Sequence, residues 1–282
     1  MKKHVNIGSL IFKIVALIVL IFGVLMILYP FYIMIITAFK TQAESAADFF
    51  ALPATWTTDN FLGVINKSNY FMYFSNSVII TVSSIVLIFL FVPMCAYAIA
   101  RNMRSRKYFK FLFYFLLCAI FVPFQVIMVP LVIYMGWLGL NNQAGLICLH
   151  VTLASSQAIF LLTNYIRSVP PDLEESASID GCTTWGAYWR VVLPLVKPMI
   201  ATVLVLNALW VWNDFQMPLL ILNTVPESWT LPLFQYNFKS QYTYDYNMAF
   251  ASYLIAIVPV MIAYIFAQKY IVEGLTAGAV KT

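Results

Sequence analysis

From Phe111 to Ile166 the chain runs for 56 residues without a charged side chain. A transmembrane helix takes about 20 apolar residues, so this stretch predicts two crossings with one turn between them. Turn-forming residues gather at Gly139-Leu140-Asn141-Asn142-Gln143, which places that turn. No soluble domain tolerates such a run. The chain as a whole carries 10% charged residues, against about 25% in soluble domains. An all-α integral membrane protein is expected.

Four further apolar segments bring the predicted total to six spans, at about Ile11–Ile36, Ser77–Ala100, Phe111–Leu138, Ala144–Ile166, Met199–Leu222 and Met248–Lys269. The N-terminal Met1-Lys2-Lys3-His4 with its apolar run imitates a signal peptide. However, Ile14 to Phe39 is 26 uncharged residues, longer than the ~7–15 of a cleavable segment, so it reads as a retained first span with a kink at Pro30. With the N-terminus inside, thirteen Lys and Arg lie on the inner face and three (Lys40, Lys67, Lys239) on the outer. This asymmetry predicts that both termini are cytoplasmic. The net charge of +5 thus reads as a topology signal, not as a nucleic-acid surface. A single domain, 1–282, is expected, with its core at about 74–272 and a polar tail at 273–282. Cys95, Cys118, Cys148 and Cys182 have no CxxC spacing and read as small buried hydrophobes, neither disulfide-bonded nor metal-bound.

Between the fourth and fifth spans lies Pro170-Pro171-Asp172-Leu173-Glu174-Glu175-Ser176-Ala177-Ser178-Ile179-Asp180-Gly181, which holds four of the 11 acidic residues. The two prolines stop the incoming helix. Asp172 and Glu175 have the spacing of a capping box, and Gly181 is placed to end the helix in the left-handed region. Such a helix rises only ~13 Å, too little to cross a ~30 Å core, so it stands outside the membrane. A helix resting on lipid headgroups would carry Lys and Arg on its polar face, whereas this one is acidic. No Gly is followed by Lys, which excludes a phosphate loop of the G-x-x-x-x-G-K type. Ionisable residues do not line several spans as a proton relay requires, which weighs against a self-sufficient secondary transporter or channel. A polytopic membrane enzyme would need His, Asp or Glu clustered at one depth.

Glu175-Ser176-Ala177, then Gly181 and Val191-Val192-Leu193-Pro194, resembles the signature loop of permease subunits in bacterial ATP-binding-cassette importers, Glu-Ala-Ala, three residues, Gly, nine residues, Ile-x-Leu-Pro. Ser176 replaces an alanine and Val191 the isoleucine. The resemblance extends from about Phe74 onward through Val122-Pro123, Val129-Pro130, Gly139-Leu140-Asn141-Asn142 and Trp212-Asn213-Asp214-Phe215 with Pro218-Leu219. The closing Gly274-Leu275-Thr276-Ala277-Gly278-Ala279 is similar to the tail of the carbohydrate branch, and within it to the maltose-permease G-type subunit.

The resemblance implies a subunit of a binding-protein-dependent sugar importer in the bacterial cell membrane, the sugar being an oligosaccharide. Its implied partners are a second related permease, two cytoplasmic ATPases that hold the ATP and magnesium, and an external sugar-binding protein. The chain itself would bind no cofactor or metal and would not be an enzyme. Glu174, Glu175, Ala177, Asp180 and Gly181 would form the coupling helix seated on the ATPase, with Glu175 its charged contact and Ala177 and Gly181 allowing close approach. Glu273, Gly274 and Gly278 of the tail would reach the ATPase pair.

Asp214 is the acid well inside an apolar segment. It reads either as part of a translocation pathway with Asn207, Trp212, Asn213 and Gln216, Trp210 or Phe215 adding an apolar face, or as a helix-packing or hinge group near Pro218. Gln125 and Asn76 are weaker pathway candidates. The aromatic loop from Thr224 to Asn247 reads as an interfacial belt or, by the resemblance, as a loop entering the docked binding protein. His4 and His150 stand alone and are assigned no role.

Overall fold

A computed structural model describes residues 7–66, 69–236, 238 and 245–277. Every long regular element among them is a helix: α1 Ile7–Ala38, α2 Gln42–Ala47, α3 Asp59–Asn66, α4 Tyr70–Asn102, α5 Lys107–Ile120, α6 Phe124–Trp137, α7 Gln143–Ser168, α8 Asp172–Ile179, α9 Thr184–Ala187, α10 Leu193–Asn213, α11 Gln216–Leu222, α12 Leu231–Tyr236 and α13 Tyr246–Ala277. A π-helical turn at Tyr188–Val192 joins α9 to α10. Among the described residues α1, α4, α7, the run Thr184–Asn213 and α13 are each long and apolar enough to cross a membrane.

The third expected segment is not one rod. The segment expected at Phe111–Leu138 is two helices, α5 and α6, bent by 104° at Phe121-Val122-Pro123. Pro123 has no N–H to continue the ladder and restricts Val122 before it. The Phe121 and Val122 amides turn back to Cys118 O and Ala119 O, and Pro123 then caps α6. The fifth segment also differs from expectation. It starts earlier, at Thr184, and breaks at Asp214-Phe215 before α11. α1 by contrast passes through Pro30 unbroken.

The chain divides into two compact units: residues up to Tyr70 with Gln235–Val258, and Phe71–Phe234 with the chain from Pro259 on. In the first, a polar knot ties the loop after α1. Lys40, 1% exposed, donates to Asp48 O and Phe49 O at 3.0 and 3.2 Å. Asn247 Nδ2 lies 2.9 and 3.0 Å from Thr37 O and Lys40 O, and Asn60 Nδ2 donates to Ala38 O. α2 carries a capping box between Thr41 and Glu44; the hydrogen bond from the Thr41 amide holds the Glu44 carboxyl below the usual range. The most apolar stretch of α1 buries no residue within the chain, as expected of a helix that is hydrophobic all round and meets lipid or another subunit.

In the second unit α4, α5, α7 and α10 share a core of Ile88, Val92, Ala96, Ile99, Ala154, Ala158, Leu162, Val196 and Val203, with their neighbours. The recurring alanines let helix backbones approach closely, as membrane helices do in place of hydrophobic driving force. The predicted turn at Gly139 is present. Gly139 has φ +67°, Leu140 N–H returns to Met135 O at 2.9 Å, and Asn142 caps α7 through Gly145 N–H. Cys95, Cys118 and Cys148 are exposed and Cys182 half-buried, not buried as expected: their apolar neighbours face outward.

Candidate functional site

α7 ends where Pro170-Pro171 forbids it to go on, and α8 starts almost at once. The capping box expected from Asp172 and Glu175 does not form. Pro171 occupies the cap position in helical conformation (φ −65°, ψ −23°) with no side-chain hydrogen bond, and its carbonyl takes the Glu174 and Glu175 amides at 2.9 and 3.1 Å. Because proline's ring presets the helical φ, the helix begins one residue early. Asp172, Glu174 and Glu175 therefore lie in the first turn, where their charge favours the positive end of the helix dipole.

The other end behaves as expected. Gly181 sits at φ +81°; its amide goes to Ser178 O and that of Cys182 to Ala177 O, the two bonds of a Schellman stop. A β-carbon at Gly181 would meet only open space, so the glycine answers to backbone conformation and not to crowding inside the chain. Glu175, Asp180 and Gly181 are exposed, while Ala177 is half-buried. Leu173 is 44% exposed and Ile179 88%. A two-turn helix thus projects an acidic rim and two bare aliphatic side chains.

Glu174 does something else. Its carboxylate turns inward, accepting from Tyr97 Oη at 2.7 Å on one oxygen and from Arg101 Nε at 2.7 Å on the other, with Arg101 Nη2 in an ion pair at 2.6 Å. Arg101 also donates to Val169 O at 3.1 Å. The side chains of the pair are only 17% and 13% exposed. α8 is thereby fastened to the end of α4 as well as to α7. Sequence reasoning missed this, taking Arg101 only as a topology charge.

The chain leaves α8 through α9 into the π turn. There Leu193 N–H reaches Tyr188 O, five residues back. Pro194, next in line, lacks an amide and its ring crowds the carbonyl four residues behind, which accounts for the widened turn.

At its far end α10 stops at Asp214. One carboxylate oxygen accepts from the Gln216 and Met217 amides at 3.0 and 3.4 Å and so caps α11. The other accepts from His150 Nε2 at 3.0 Å. The two side chains are 0% and 9% exposed, and His150 also sets its ring edge against Trp210 at 5.4 Å. His150, assigned no role from sequence, is therefore the partner of Asp214. A signal was available: His150 lies 17 residues before Arg167 and Asp214 lies 17 after Lys197, which puts both at one depth in antiparallel neighbours.

The remaining candidates scatter. Asn207 is buried, its amide nitrogen on Val203 O of its own helix. Asn213 is exposed and bonds Leu209 O. Trp212 turns its ring edge to Phe74 at 5.7 Å. Gln216 is exposed and reaches Asp214 only through its backbone. Gln125 is exposed. Asn76 is committed to the loop carbonyls of Glu227 and Trp229. In the aromatic loop Trp229 and Phe234 stack on Tyr73, while Tyr242 and Tyr244 lie outside the described residues. Glu273 and Gly274 fall in the last turns of α13, so the helix runs into the expected tail; Gly278 lies outside the described residues.

Comparisons with known proteins converge. The family model described as binding-protein-dependent transport system inner membrane component matches residues 93–276. The chain is 46% identical, over 92% of its length and 94% of the relative's, to the multiple sugar-binding transport system permease protein MsmG of Streptococcus mutans. It is 38% identical, over 89% and 91%, to the probable starch degradation products transport system permease protein AmyC of Thermoanaerobacterium thermosulfurigenes. Its fold superposes, with a TM-score of 0.82 and 24% identity over 96% of this chain and 99% of the other, on a chain of a bacterial ABC transporter involved in the import of the acidic polysaccharide alginate. The α7–α8 turn at Pro170 and the broken helix that follows it both lie inside the matched region, and the chain belongs to the inner membrane components of binding-protein-dependent transport systems.

Proposed function

We propose that the chain is the transmembrane subunit of an ATP-driven importer of a carbohydrate, an oligosaccharide, in a bacterial cell membrane. It forms half of the translocation pathway beside a second, related permease. It takes sugar from an external binding protein and borrows its energy from two separate ATPases, which hold the ATP and magnesium. Both termini and α8 lie on the cytoplasmic side. Relatives named for sugar transport support the substrate class, and the alginate neighbour has also been solved with a sugar-bound periplasmic protein.

The observation that carries this reading is α8 itself. It is short, capped and acidic, it bares Ile179 and Leu173, and it is bonded rigidly to α4 while covalently continuous with α7 and α9. Pushed from below, such a knob moves three spans together, as alternating access requires. Glu175 and Ile179 are its contacts with the ATPase; Glu174 is the inward anchor.

Affinity capture tests the reading. Wild-type protein in detergent should retain an ATP-binding-cassette ATPase from its own organism, and Glu175→Lys and Ile179→Glu should each lose at least tenfold of it together with ATP-dependent sugar uptake. Undiminished uptake after complete ATP depletion would instead establish a self-sufficient transporter.

A further inference from the structure

His150, Gln157 and Asn164 share one face of α7 at seven-residue spacing, while Asn207 and Trp210 share one face of α10, which Asp214 ends. These faces meet at a cleft of about 120 Å³ lined by Leu153, Ala154 and Gln157 from α7 and by Leu206, Asn207 and Trp210 from α10. We propose that this cleft holds one pyranose ring of the transported sugar, with the Trp210 indole as its platform and the Gln157 and Asn207 amides as its hydrogen-bond partners. This rests on the carbohydrate reading above and adds that this subunit touches the sugar itself.

Several polar side chains of α7 are satisfied within the helix. Thr152, Ser155 and Asn164 return their hydrogen bonds to carbonyls of their own helix, at Cys148, Val151 and Phe160. Ser156, Gln157 and Thr163 make no side-chain hydrogen bond among the described residues, and of these Gln157 is the exposed one. An unpaired amide turned toward lipid is costly, so within a span Gln157 faces a water-filled path or a polar group of the neighbouring subunit. Its depth agrees: ten residues from Arg167 at 1.5 Å each is ~15 Å, the middle of a ~30 Å core.

Across the seam, Asn207 commits its amide nitrogen to Val203 O and keeps its carbonyl oxygen as an acceptor. Trp210 is 39% exposed. The His150 ring, itself held by Asp214, packs perpendicular to the indole and restrains it. An aromatic face, one free amide and one further acceptor, with no charge on the wall, match a neutral pyranose. Its C–H face covers an indole, and its hydroxyls both donate and accept. The volume admits one ring and not a whole oligosaccharide.

The test uses the complete transporter in proteoliposomes, charged with its binding protein and a panel of radiolabelled neutral sugars from disaccharides to raffinose, maltotriose and stachyose. In variants that still copurify with the partner permease and ATPase, Trp210→Ala and Gln157→Leu should each lower the sugar delivered per ATP hydrolysed about tenfold. Trp210→Phe, which keeps an aromatic face, should stay within about threefold of wild type. Trp210→Ala and Gln157→Leu delivering sugar at the wild-type ratio would overturn the site while leaving the importer intact, and so would Trp210→Phe failing as badly as Trp210→Ala. Wild-type transporter that carries no sugar of the panel would overturn the carbohydrate reading and the site with it.

Discussion

His150 and Asp214 sit 64 residues apart in the chain and 3.0 Å apart in space. Removing one member of a buried pair leaves the other uncompensated and costs about 3–5 kcal/mol. Thermal unfolding of the purified protein in detergent should therefore show His150→Leu well below wild type. Asp214→Asn should be milder, because an amide oxygen still accepts from the Gln216 and Met217 amides that start α11. Equal melting temperatures for His150→Leu and wild type would show that the pair contributes nothing to the fold. Of the two readings that its sequence context left open, the structure bears on the hinge: Asp214 caps α11 at the helix break near Pro218.

Two elements depend on small details of their joints. The α6–α7 turn needs Gly145, since a β-carbon there would collide with Leu140 O and lie 2.8 Å from Met135 Cε. Backbone cannot yield as a side chain tip does, so Gly145→Ala should cost about 2 kcal/mol or more, read as a lower melting temperature. The second joint is α8 on α4. Arg101→Ala would leave Glu174 half-buried with only the Tyr97 hydroxyl, letting α8 swing, and sugar delivered per ATP should fall severalfold. The exchange Arg101→Glu with Glu174→Arg should recover part of that loss. A double variant no better than the worse single one would show that the contact is incidental. The bend between α5 and α6 was foreshadowed by Val122-Pro123, yet hydropathy alone reads straight across it, because both arms are equally apolar.

For the molecule as a whole, orientation is the property that charge alone specifies. Cys182 follows α8 and is half-buried; in intact cells a membrane-impermeant maleimide should leave it unlabelled and should label Ala54→Cys, in the loop between α2 and α3. The reverse pattern would invert the topology. The spans, the turn at Gly139 and the Schellman stop at Gly181 were legible because apolar length and glycine conformation are local properties. The start of α8 was misread by one residue because proline can stand in for a side-chain cap. The Arg101–Glu174 pair was not legible, since nothing local announces a partner 73 residues away, and the His150–Asp214 pair showed only as two residues at matching depth in neighbouring spans. Lys40 was counted only as a charge of the outer side, and its hydrogen bonds to two carbonyls were not foreseen.

The inward turn of Glu174 bears on any attempt to graft this loop between related permeases. A graft that exchanges only residues 170–181 carries half of a contact whose other half, Tyr97 and Arg101, stays behind in the host. Donor loops with a neutral residue at that place would strand the guanidinium, so the unit of exchange is the loop together with the last two turns of α4.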